Sequence, residues 1–187
     1  MRDFDGKAQF KATPAVLGTM CADELDCAYE GATLCAFDVG GDAAAESSGT
    51  GTTQASFDFL ECFDNAGSLP LFYDPSHVQA CADQQKLDYG AISKCANGTA
   101  SAKLLKAAQK TVTAACGKEA VLPTVHVAGK KVCESDKCTY STIADAIASA
   151  ASASAIMASS PSLRGGGVNA TVARGSEPTI TYFFASQ

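Results

Sequence analysis

The chain has 187 residues, enough for one ordinary domain with a core, and carries a formal charge of −6. Its basic residues are scattered and it has no apolar run of the roughly 18 residues a span needs. Nucleic acid, anionic membrane surfaces and a membrane-spanning role therefore have no support. Trp is absent and Ala abundant, which favours helices with small side chains over a large aromatic core.

In chain order, residues 1–20 read as extended, with Phe4, Phe10, Val16 and Leu17 apolar and Pro14 a break. A dense block follows, CADELDCAYEGATLC, from Cys21 to Cys35. Residues 38–53 are rich in Gly, Ser and Thr and read as a mobile loop. From Gln54 to Phe63, the spacing of Phe57, Leu60 and Phe63 predicts a helix that ends by Pro70. Asp74-Pro75 is a helix start, Asp as cap and Pro at the first helical position, predicting a helix to about Gln85 with Val78, Cys81 and Ala82 inward. A short helix over Tyr89–Ala96 breaks at Asn97-Gly98. Thr99 then caps a helix from Ala100 to Cys116, with Leu104, Leu105, Ala108, Val112 and Ala115 as the buried stripe and Gly117 as the stop.

The stretch AVLPTVHVAGKKV, Ala120 to Val132, reads as a strand, a Gly129-Lys130 turn and a second strand. A proline entering a good strand calls for a reason, because it donates no ladder hydrogen bond. A cis Leu122-Pro123 bond at a functional surface is one such reason. A last helix is expected from a Ser141 cap, with Ile143, Ile147 and Ala150 inward. Beyond about Ala158, residues 159–187 lack a useful period and read as a disordered tail, ITYFF being at most an edge strand.

Nine cysteines stand at intervals of 5 to 27 residues: Cys21, Cys27, Cys35, Cys62, Cys81, Cys95, Cys116, Cys133 and Cys138. None forms a C-x2-C and only two histidines accompany them, so neither a zinc site nor any other metal or cofactor site is expected. The spread fits a disulfide framework formed in an oxidising compartment, with connectivity open and at least one thiol left over. The sequons at Asn97 and Asn169 agree with a secretory route. Cys138, just before the Ser141 helix, with Cys133 as its resolving partner, is a candidate reactive pair. Glu134 and Asp136 oppose a thiolate there, and a local structural disulfide is the expected state. Cys21 to Cys35, among Asp23, Glu24, Asp26 and Glu30 and with no helix start nearby, read as structural. His126 reads as a solvated or packed strand histidine and His77 as surface. Asp58, Glu61 and Asp64, at one helical spacing, read as a solvated face rather than a cation site.

In order, these segments resemble the gamma-interferon-inducible lysosomal thiol reductase family over roughly residues 3–151. The family block C-Q-H-G-x2-E-C-x2-N-x4-C is similar to Cys21, Cys27 and Cys35, with Asp26 in place of Glu and Glu30 in place of Asn. The first gap is five residues rather than six, and Gln-His-Gly is replaced by Ala22-Asp23. FLECFDNAGSLP, Cys81, Cys95 and AQKTVTA follow in family order, and LPTVHVAGKKV resembles V-P-x-V-x-V-N-G-K with Ala128 replacing the turn Asn.

The resemblance implies a thioredoxin-like α/β fold with a helical, Cys-rich insertion over about residues 21–118 of a domain spanning 1–158. It also implies reduction of protein disulfides in a lysosomal or secreted setting, with Pro123 docking substrate backbone beside the attacking sulfur. The family's C-x2-C, between its first strand and first helix, has no counterpart here. RDFDGKAQF resembles the second strand, so the first strand, the redox helix and a signal peptide are expected to be absent and the chain inactive as it stands. The alternative is a non-enzymatic, disulfide-stabilised secreted binding module.

Overall fold

The computed structural model describes residues 8–16, 27–42, 52–65, 74–117, 120–159 and 178–184. Cys21, Asn169, residues 43–51 of the Gly/Ser/Thr stretch and residues 160–177 of the expected tail lie outside them. Within the described residues the chain is mixed α/β, with a four-stranded sheet and six α-helices.

β1 (Gln9–Pro14) closes on Pro14, which is tolerated at the end of an edge strand. α1 (Ala28–Val39) starts directly after Cys27, so the block read as lacking a helix start contains one. Its pattern hides it: Glu30, Gly31, Ala32, Thr33, Cys35, Ala36 and Phe37 are all buried, leaving little polar face to mark a helical period. Gly31 permits this burial, because a Cβ there would meet the Ser101 hydroxyl at 2.6 Å. The ends of the Gly/Ser/Thr stretch are anchored rather than loose. The Asp42 carboxylate accepts from the Thr53 backbone N–H (3.0 Å) and the Ser56 hydroxyl (2.8 Å). Thr52 in turn is tied to β1 through Ala12 N–H and the Phe10 carbonyl.

α2 (Gln54–Asn65) turns Phe59, Leu60 and Phe63 inward, and Phe63 stacks on Tyr29 of α1 at 4.2 Å between ring centroids. α3 (Pro75–Gln84) begins as its sequence predicts, the Asp74 carboxylate accepting from Ser76 N–H at 2.8 Å ahead of Pro75. α4 (Tyr89–Ala96) is capped by Asp88. α5 (Thr99–Cys116) has Gly98, not Thr99, at its N-cap position, and ends at Gly117, whose φ of +86° suits glycine. Its buried residues are Ser101, Ala108 and Val112; Ala115 is exposed, one turn-step off the expected stripe. Helices α1 to α4 share one apolar core of Ala32, Cys35, Ala36, Phe59, Phe63, Val78, Cys81, Ala82 and Ile92.

β2 (Thr124–Val127) and β3 (Lys130–Glu134) form the expected hairpin. Ala128 and Gly129 both take positive φ, +50° and +77°, as a two-residue primed turn requires. A 3₁₀ turn (Ser135–Lys137) leads to α6 (Tyr140–Ser159). Thr139, rather than Ser141, supplies the capping oxygen, accepting from Thr142 N–H at 3.3 Å.

The sheet corrects the tail reading. Thr179–Phe184 is β4, and it lies at the centre of the order β1-β4-β2-β3. It runs parallel to β1 (Gln9↔Thr179 through Pro14↔Phe184) and antiparallel to β2 (Thr124↔Phe183, Val127↔Ile180). ITYFF is therefore neither disordered nor an edge. Phe183 and Phe184 are adjacent yet buried on opposite faces of the sheet, which blurs the alternation and leaves the sequence period mute. On one face Val125, Val127, Cys133 and Ile180 meet Ile147 of α6, while Ala12 and Phe184 meet Phe37 of α1 and Leu60 of α2. The other face packs Phe183 and Ala15 against Val112 of α5.

Candidate thiol site around the proline-entered strand

The Leu122-Pro123 peptide is cis, as the reading of a proline-entered strand expects. Pro123 is held from the far end of the hairpin: its carbonyl accepts the Ser135 N–H at 2.7 Å. Because Thr124 pairs with Phe183, the proline stands beside the C-terminal end of the central strand β4. Strand ends of this kind, with a helix packed on either face, are where open α/β sheets present chemistry.

The sulfurs around it fall into two states. Cys133 and Cys138 are joined across the 3₁₀ turn, so the pair considered as a reactive dithiol is a disulfide closing the hairpin–helix junction. Cys133 is buried under α6 and Cys138 lies just ahead of Tyr140, where the helix starts. Glu134 is paired with Lys131, and that contact holds its carboxyl below the usual range. Elsewhere Cys35–Cys95 ties α1 to α4 and Cys62–Cys81 ties α2 to α3. Cys27, at the N-cap position of α1, is disulfide-bonded too, so that helix terminus has no free thiol to activate.

Cys116 is the one free cysteine among the described residues. It closes α5, half-buried, beside the cluster of Ala15, Val112 and Phe183 that also packs Ala120 and Leu122. Its Sγ lies 4.0 Å from Nε2 of His126. His126 is packed, not solvated: it is 6% exposed, with its ring edge-on to Phe183 at 5.2 Å. Burial pushes the imidazole below its ordinary range, the Lys131 ammonium adds to this, and the nearby Gly129 backbone works against it. Burial likewise pushes the Cys116 thiol up, while Lys131 pulls it down. Ten positions separate the two residues in sequence, one ending a helix and one within a strand. No spacing motif joins them, and the surplus in the cysteine count was the only signal of Cys116.

The remaining candidates are dispersed. His77 lies in the exposed first turn of α3, 3.9 Å from Asp74. Asp58 accepts from Gln54, and Asp64 accepts from the Tyr29 hydroxyl, so these two of the three α2 carboxylates have protein partners. No group of three or more His, Cys, Asp or Glu side chains among the described residues is arranged to hold a metal. No described helix is long and apolar enough to cross a membrane. Asn97 is exposed at the C-cap of α4, its amide donating to the Ser93 carbonyl at 2.9 Å, and Gly98-Thr99 are exposed after it. Comparison with protein-family models, with curated proteins and with solved structures returns no match for this chain.

Proposed function

We propose that this chain is a thioredoxin-like domain of the lysosomal thiol reductase type, built for thiol–disulfide exchange with disulfide-containing proteins in an acidic or secretory compartment. The supporting observation is the sheet order β1-β4-β2-β3, with β1 and β4 parallel and the hairpin antiparallel to β4. A thioredoxin-like sheet sets its first strand between the second strand and a hairpin entered through a proline, with a helix after the hairpin. Here β4 takes that first-strand station from the C-terminal side of the chain. No C-x2-C occurs in the sequence, so this chain is assigned the docking wall, Pro123, without the family's redox pair.

The chemistry sets the test. The missing pair must supply a thiolate, favoured at a helix N-terminus, and a second cysteine to resolve the mixed disulfide. The chain as it stands is expected to reduce insulin disulfides no faster than the small-thiol co-reductant at mildly acidic pH. Extended beyond Gln187 by a C-x2-C leading into a helical segment, it should exceed that background, and Pro123→Ala should lower the gain. A folded extended chain that stays at background would overturn the reading. The second reading, a non-enzymatic disulfide-stabilised binding module, draws on the helical body of α1 to α4 with its two disulfides, and that outcome would favour it.

A further inference from the structure

We infer that Cys116 and His126 form a single-cysteine exchange site, in which His126 serves as general base and Cys116 takes up small-molecule disulfides as a mixed disulfide. The inference stands on the geometry of this pair and holds whether or not the thiol reductase reading does.

Cys116 is poorly served by its own helix. It ends an 18-residue helix, where the dipole is negative and opposes a thiolate. Half-burial against Phe183 and Val112 opposes it further. A thiol so placed needs a base at the moment of attack, and Nε2 of His126 is the nitrogen turned toward it, at the outer limit of hydrogen-bonding distance to sulfur. A neutral imidazole presents one ring nitrogen as an acceptor, here Nε2 toward the thiol proton. Base and nucleophile are thus side by side, with Phe183 packed edge-on against the ring. Lys131 of β3, itself paired with Glu134, is the charge acting on both members, and it favours the thiolate and the neutral ring together. β4 offers Phe183 to the ring and Thr181 opposite it in the ladder, and the segment after β1 offers Ala15, all uncharged.

The step balances without an outside oxidant. His126 takes the Cys116 proton and Sγ attacks one sulfur of R–S–S–R. That S–S bond breaks as the Cys116–S–S–R bond forms, and the departing thiolate leaves with the proton from the imidazolium. Cys116 is oxidised and the outgoing RSH reduced. With the ring's affinity for protons lowered, the base stays available into mildly acidic solution.

The test uses the full chain with its disulfides intact, under non-reducing conditions, and oxidised glutathione as the probe. Intact mass and peptide mapping should find one adduct, on Cys116, that is absent from Cys116→Ser. The wild-type rate against pH should show a plateau near neutrality, below the thiol's own titration. His126→Gln should react about a hundredfold slower or more on that plateau, the low end for a lost general base, and rejoin wild type at alkaline pH. An adduct elsewhere, or none, overturns the proposal. So does a wild-type rate that falls about tenfold per pH unit straight through neutrality, a measurement that needs no variant to fold. The readout is a stoichiometric adduct, so its failure is separate from failure of insulin turnover.

Discussion

If β4 is the central strand, its side chains are structural and truncating them is costly. Ile180 and Phe183 are each 2% exposed, on opposite faces of the sheet, one in the cluster under α6 and the other against Val112 and the His126 ring. Ile→Ala at a buried site costs about 2–5 kcal/mol and Phe→Ala about 3–5, transfer and cavity terms together. For a chain of 187 residues, each kcal/mol moves Tm by about 2–4 °C. Ile180→Ala should therefore lower Tm by roughly 6–12 °C, for a cost of about 3 kcal/mol, and Phe183→Ala by at least as much. Lys106→Gln, exposed on α5, serves as the control and should stay within about 2 °C. The assay is thermal unfolding followed by circular dichroism, with disulfides intact. A disordered tail makes the opposite forecast: both β4 variants indistinguishable from the control. That result would refute the placement of β4 and, with it, the sheet order on which the functional proposal rests.

Three further outcomes are expected. Ala128 sits at φ +50° in the hairpin turn, where a Cβ costs roughly 1–2 kcal/mol, offset for glycine by about 0.4–1 kcal/mol of unfolded-state freedom, so Ala128→Gly should raise Tm by about 2–4 °C; a fall would contradict the turn geometry. Removing Cys35–Cys95, whose members lie 60 residues apart, should cost about 4 kcal/mol, against about 3 for Cys62–Cys81 at 19, from loop entropy. Denaturant unfolding of the paired Cys→Ala variants should show that order, and the reverse order would count against it. The His126 imidazole is held below its ordinary pKa of 6.5 by burial, so the unfolded chain binds its proton more readily. Its stabilising share is complete above that value and is lost as pH falls through it toward the folded-state pKa. Tm of the wild type should fall between about pH 7.5 and 5.5 more than that of His126→Gln, and equal slopes would refute the assignment.

Local chemistry was legible where it acts locally. Asp74-Pro75 starts α3 because a carboxylate two residues ahead of an orphan N–H satisfies it whatever surrounds it. Gly117 ends α5 because its φ is one that glycine takes freely. The alternation of Val125 and Val127 with Thr124 and His126, and the glycine after Ala128, were enough to write the hairpin, and Pro123 to mark its entry. The adjacency of Cys133 and Cys138, five positions apart, made a local disulfide the natural expectation.

What eluded sequence reasoning was settled by partners distant in the chain. α1 hides its helical period because neighbours bury it on most sides, and that burial is known only once α4 and α5 are in place. The thiol of Cys116 acquires a base only because α5 ends over the face of β2 that carries His126. β4 is the sharpest case. ITYFF has high strand propensity but an alternation that breaks at Phe183-Phe184, and nothing within it says whether it pairs, with which strand, or in which direction. Its register against Gln9–Pro14, some 170 positions away, and against Thr124–Val127 is a tertiary decision. It is made by two open ladder edges and by apolar surface on both faces that only this strand covers. The sequence by itself thus determined helix ends, the proline hairpin and a disulfide framework; tertiary pairing decided that the last strand stands at the centre of the sheet.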